Sequence, residues 1–352
     1  TISSQNPFFE TYSTLHSTVP FDKIKTGDYV PAIREGIRRQ NAEIEAIIRN
    51  PEVPTFANTV LAYEKSGEML HRVSTVFGNL LSAETDDDLQ ELAKEIMPMM
   101  SEHENNISLN EELFARIKAV YEQQDKETLS PEQHKLLEDI YNGFVRNGAN
   151  LLGEDKEKYR ALCKELSLLT LQFSENNLKE TNDYKLVITD KSQLAGLPES
   201  AVEAAAETAG EKGVEGWVFT LQAPSYGPFL TYADSRDLRR ELYMAYNTKC
   251  THDNASNNLE IVKKLANVRM EIAQLLGYDN FAEYNLQERM AQNSESVYKL
   301  LDQLLEAYTP TAKQEYAEVQ ALARQAEGED FVLMPWDWAY YSHKLKDRKF
   351  NI

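Results

Sequence analysis

The sequence predicts a mainly α-helical protein with a small β insertion around residues 184–222. Three observations carry that prediction. Apolar residues recur at three- and four-residue spacing along most of the chain. Helix punctuation frames those stretches: Ser130-Pro131-Glu132 sets a cap, a first-turn proline and a first-turn acid in a row, and Asn50-Pro51 and Gly277 stand where stripes end. Strict alternation is confined to two short segments, Tyr184–Thr189 and Trp217–Leu221.

Taken in order, residues Thr1 to Thr26 are polar with scattered aromatics, Phe8, Phe9, Tyr12 and Phe21, and read as an extended surface arm. A first helix is expected from about Asp28 to Arg49 on the stripe Tyr29, Ile33, Ile37, Ile44 and Ile48, and a second from Phe56 to Leu81. Asp86–Asp88 place negative charge at the start of a third, and a fourth follows Asn110. The fifth begins at Ser130, and the sixth spans Glu154 to Glu180 with Tyr159, Leu162, Leu166, Leu169 and Phe173 on one side. An alanine-rich helix follows Pro198. After the strand at Trp217, Pro224, Gly227 and Pro228 break the pattern; Pro228 suits the first turn of a short helix, and Asp234 is placed to cap the next. Further helices run from Leu259 to Leu276, after Asn280, after Ser294 with a kink expected at Pro310, and from Trp336 onward. No repeat of fixed period and no linker is evident, so residues 1–352 read as one mostly helical domain.

Composition narrows the function. A net charge of −20 would repel a phosphate backbone, which argues against nucleic-acid binding. No run of 18 apolar residues exists to span a membrane as a helix. Cys163 and Cys250 read as reduced thiols. The chain starts at Thr1 with neither a methionine nor an apolar signal region, as a processed or trimmed chain would. A cytoplasmic location is expected; an exported protein with its signal removed would look the same.

Three stretches carry a family resemblance: Q-A-P-S-Y-G-P-F-L-T-Y-A-D-S-R-D-L-R-R-E-L-Y from Gln222, N-P-E-V-P-T-F-A-N-T-V-L-A-Y-E-K-S-G-E-M-L from Asn50, and M-P-W-D-W-A-Y-Y-S-H-K-L-K-D-R-K-F from Met334. In order and number they resemble the zinc metallopeptidases that include oligopeptidase A, thimet oligopeptidase and the bacterial peptidyl-dipeptidases. The wording of the motifs is most similar to the peptidyl-dipeptidase branch. The resemblance implies a helical N-terminal half of a two-lobed enzyme, one wall of a channel that admits short peptides. The zinc, the general base and the attacking zinc-bound water would belong to a catalytic half not represented in these residues.

Such an enzyme needs His-Glu-x-x-His on one helix, so that two imidazoles meet one metal. His103-Glu104-Asn105-Asn106-Ile107 fails by one ligand, and His16, His71, His134, His252 and His343 have no second histidine within helical reach. No Gly-rich phosphate loop and no G-x-S-x-G elbow is present. Cys163 reads as a core residue, Cys250-Thr251-His252 as an incidental pairing, Tyr226-Gly227-Pro228 as a turn, and Trp336, Trp338, Tyr340 and Tyr341 as packing or a peptide-binding rim. No catalytic, cofactor-binding or metal residue is therefore assigned.

The expectation is the N-terminal portion of a zinc-dependent peptidyl-dipeptidase, inactive alone, with short peptides and the C-terminal catalytic half as partners. An oligopeptidase A-like endopeptidase parent is one alternative. A stand-alone, non-catalytic helical binding or scaffold protein is the other.

Overall fold

The computed structural model describes residues 6–126 and 128–350. Its longer helices are α1 (Tyr29–Ile48), α2 (Glu68–Ala83), α3 (Asp87–Ser108), α4 (Glu111–Glu122), α5 (Pro131–Arg146), α6 (Glu154–Asp183), α7 (Glu199–Glu211), α8 (Ala223–Tyr232), α9 (Arg236–Asn247), α10 (Leu259–Leu275), α11 (Phe281–Leu286), α12 (Ser294–Glu327) and α13 (Pro335–Phe350). Two short strands, β1 (Leu186–Ile188) and β2 (Trp217–Phe219), form a single antiparallel pair. The mainly α prediction with a β insertion near 184–222 describes this architecture. The chain forms two compact units: one takes the residues up to Gln172 with Lys264–Tyr284, the other Phe173–Lys263 with the residues from Asn285 onward.

In the first unit α1 lies directly against α2. A Cβ on Gly36 would come within 2.9 Å of Leu70 Cα, so glycine is what lets the two backbones approach. Phe8, Tyr29, Ile33, Val73, Phe77 and Ile96 form the core beside them. The first five residues of the arm expected over Thr1–Thr26 lie outside the described residues; from Asn6 onward it is more than a surface strap, with short 3-10 turns at Pro7–Phe9 and Leu15–Ser17, and Phe8 is fully buried with its ring 5.5 Å from Tyr29. The side chain of Asn6 accepts from Phe8 N–H and donates to the Asp28 carbonyl, which fixes that entry.

The helix expected over Phe56–Leu81 is broken. Phe56–Leu61 is a π-helical turn leading into Ala62–Glu64, and α2 starts only after Gly67, whose φ is 75°. The Gly67 N–H donates to the Glu43 carboxylate at 2.7 Å, so a tertiary bond replaces the helical one. Ile44, Ile47, Ile107, Leu113, Ile117 and Phe144 make a second core between α1, α3, α4 and α5. Ser130 caps α5 in a reciprocal box with Gln133.

In the second unit β1 and β2 pair with Leu186 opposite Phe219 and Ile188 opposite Trp217. Gly216, at φ 100°, leads into β2; a Cβ there would sit 2.2 Å from the Ile188 carbonyl oxygen. Leu186, Ile188, Phe219, Leu221, Phe229 and Leu242 form the core. Here two expectations are corrected. The Tyr226-Gly227-Pro228 segment is helix, not turn: α8 begins at Ala223, Pro224 occupies its first turn, and Pro228 lies inside. Pro228 costs one ladder bond, and the burial of Phe229 and Leu230 offsets it. The cap of α9 is Ser235, whose hydroxyl accepts from Leu238 N–H; Asp234 instead accepts the Tyr340 hydroxyl at 2.7 Å. Helix α12 runs through Pro310 to Gly328 as one helix.

Candidate functional site

Two places gather the side chains that matter. The first joins two of the motif stretches, although they lie about a hundred residues apart in sequence. Asp337 of W-D-W is completely buried at the start of α13. Its carboxylate accepts from Arg239 Nη2 at 3.0 Å, from Arg236 Nη2 at 2.7 Å and from the Met334 N–H at 2.9 Å. Arg239, only 1% exposed, also donates to the Ala233, Asp234 and Trp336 carbonyls and lies 4.0 Å over the Tyr340 ring. Every polar atom of the pair thus finds a partner, which is what allows two charges to sit where water does not reach. Asp234, just after α8, takes the Tyr340 hydroxyl, and burial first and this bond second push the phenol up. Tyr340 and Tyr341 are core residues, whereas Trp338 is 40% exposed and stacks on Tyr316. The junction holds α8, α9 and α13 in one arrangement, with every hydrogen bond spent on structure.

Arg239 and Asp337 were not singled out from sequence. A signal was present: Arg239 follows Leu238 and precedes Leu242 on the apolar side of α9, and a charge in a core stripe needs a buried partner.

The second place is a cleft of about 1270 Å³ in the first unit, lined by α1, the 63–68 turn, α2, α3, α5 and α6. His103 is buried, with Nε2 2.7 Å from Gln40 Oε1, and burial lowers its pKa. Glu104 is open to the cleft, yet the surrounding protein raises its pKa. Burial likewise raises Tyr63 and Tyr159. Cys163, bonded to Tyr159 and Asn105, is raised by burial, the opposite of what a nucleophilic thiol requires. Ser167 Oγ is buried against the cleft without a hydrogen-bond partner. The shifts favour the neutral form of each of these titrating groups.

The remaining candidates are scattered. His16 sits in a turn at φ 56°, His71 on the cleft wall, His134 3.3 Å from Gln124, His252 on the surface, and His343 3.2 Å from Asp347. Cys250 is buried at φ 58°, its N–H bonded to Glu180, and burial raises its thiol. Among the described residues no three His, Cys, Asp or Glu side chains form a group able to hold a metal. In the near-motif, Ile107 packs in the core beside Ile44 and Ile47, and His103 is committed to Gln40. These residues do not fit a zinc site.

Comparison with known proteins agrees with the motifs. Residues 229–352 match the model of peptidase family M3. The dipeptidyl carboxypeptidase of Escherichia coli is 36% identical over 100% of this chain and 52% of its own length. That of Salmonella typhimurium is 33% identical over 99% and 51%, and oligopeptidase A of Salmonella typhimurium 31% over 96% and 50%. The chain spans about half the length of the curated relatives it matches. Two of the motif stretches converge on one buried junction, residues 229–352 match the family M3 model, and the likeness to relatives named as peptidases runs along the whole chain.

Proposed function

We propose that these residues are the N-terminal half of a zinc-dependent peptidyl-dipeptidase that releases dipeptides from the carboxyl end of short peptides in the cytoplasm. The observation that carries this reading is the coverage: relatives named as peptidases align with all of this chain and with only about half of themselves. On this reading the zinc and the general base belong to the other half, in keeping with the incomplete His103-Glu104-Asn105-Asn106-Ile107 near-motif here. The role of the present half is to wall the channel that a short peptide enters, with the Arg239–Asp337 junction fixing the α8, α9 and α13 scaffold. The exopeptidase reading rests on identity, 36% and 33% to dipeptidyl carboxypeptidases against 31% to oligopeptidase A.

The test is to express the natural gene product and the 352-residue chain side by side on a short peptide with a free carboxyl end and on its amidated twin. The reading expects dipeptide release by the gene product from the free peptide alone, lost on chelation, and no hydrolysis by the 352-residue chain. Internal cleavage of both peptides would assign an oligopeptidase A-like endopeptidase instead. Hydrolysis by the 352-residue chain would overturn the division of labour.

A further inference from the structure

Helix α12 carries one apolar stripe but the described residues cover only its end. At 100° per residue, Leu301, Leu305, Tyr308, Tyr316, Val319 and Ala323 fall within a sector of about 80°. Val319 and Ala323 are buried with Leu333, Tyr340 and Tyr341 against α13. The same face upstream is bare: Leu301 is 50% exposed, Leu305 67%, Tyr308 66% and Tyr316 45%. Trp338, stacked on Tyr316, carries the patch onto α13. An apolar seam this long and continuous is unusual on a surface that is meant to face water.

We infer that the Leu301–Tyr316 face of α12, with Trp338, is the surface that the second half of the enzyme covers. This rests on the reading that the chain is one half of a longer peptidase. Two further observations select that occupant. The relatives possess about as much chain again as is present here, a segment large enough to cover the seam. The exposed seam is also continuous across two helices, since Trp338 of α13 stacks on Tyr316 of α12, and a surface of that breadth suits a folded partner. A second copy of this chain is the poorer occupant, because a net charge of −20 on each copy opposes their approach.

Hydroxyl-radical footprinting reads side-chain exposure directly. It would be applied to the 352-residue chain and to the natural gene product. The inference expects oxidation of Leu305 and Tyr308 to fall by about threefold or more in a longer product, because a packed interface core excludes water. Leu305→Glu should then lower the Tm of the longer product clearly and leave that of the 352-residue chain unchanged, since Leu305 already meets water there. A longer, active product in which Leu305 and Tyr308 stay fully reactive would overturn the inference and leave the reading of a half-enzyme standing. A gene product that stops at Ile352 would overturn both. Concentration-dependent protection of Tyr308 in the 352-residue chain alone would replace the committed partner with a second copy.

Discussion

The molecule buries ionisable groups in two ways, and the difference separates scaffold from surface. At the α9–α13 junction the charges are kept and paired: Asp337 and Arg239 are almost wholly enclosed, and each finds its full set of partners. In the cleft of the first unit burial is what shifts His103 and Glu104, and each moves in the direction that favours the uncharged form. A paired charge is a rigid fastener that fails abruptly when one side is removed. A group shifted by burial alone has no single partner to lose, and it titrates with pH.

The largest effect is expected where the fastener is cut. Asp337→Ala leaves Arg239 enclosed and unpaired, which should cost about 3–5 kcal/mol of stability in urea unfolding. Replacing both partners by apolar residues should not restore the wild-type value. The Ala233, Asp234 and Trp336 carbonyls would lose their donor, at about 1–3 kcal/mol for each group left unsatisfied. Full recovery in the double variant would mean that the junction is ordinary core, and the contrast with the cleft would disappear.

How much of this was legible in sequence follows the same division. Local signals worked: the Ser130 cap, the stop at Gly277 and the β insertion near 184–222 all depend on neighbours along the chain. What failed depended on distant partners. Glu43 breaks the helix expected through Gly67, and Tyr340 draws Asp234 away from capping α9. Phe8 is pulled from the arm into the core beside Tyr29. Of the candidate site residues, the near-motif at His103 was read as incomplete from spacing alone, whereas the Arg239–Asp337 pair needed the fold, because its members lie 98 positions apart. Which turns of α12 are covered is likewise set by distant packing against Leu333, Tyr340 and Tyr341, which periodicity along the helix does not record.

A change at Gly67 would probe the cleft with a smaller cost. Its φ of 75° disfavours any side chain, and an added Cβ would meet Gln40 Nε2 at 2.4 Å. Gly67→Ala should therefore cost roughly 1–2 kcal/mol, with Gln40 displaced from His103. With water admitted, His103 should titrate closer to its ordinary value in an NMR titration. An unchanged His103 titration would show that burial by the rest of the cleft, and not the Gln40 contact, holds it neutral.

The smallest effect distinguishes the cleft by sign. The folded pKa of His103 is lowered below 6.5, so the unfolded chain binds the proton first; stability is complete above that value and declines as pH falls through it. His103→Gln should flatten this decline. Glu104 runs the other way: its folded pKa is raised above 4.5, so the folded state holds the proton longer and stability is lost as pH rises from 4.5 through the folded value. Glu104→Gln should therefore raise Tm slightly at pH 7 and leave it unchanged below pH 4.5. Thermal scans of both variants across this range test the assignment. If Glu104→Gln instead lowered Tm at pH 7, its carboxylate would be stabilised by a charged partner, and the cleft would belong with the α9–α13 junction as a place where charge is kept and paired.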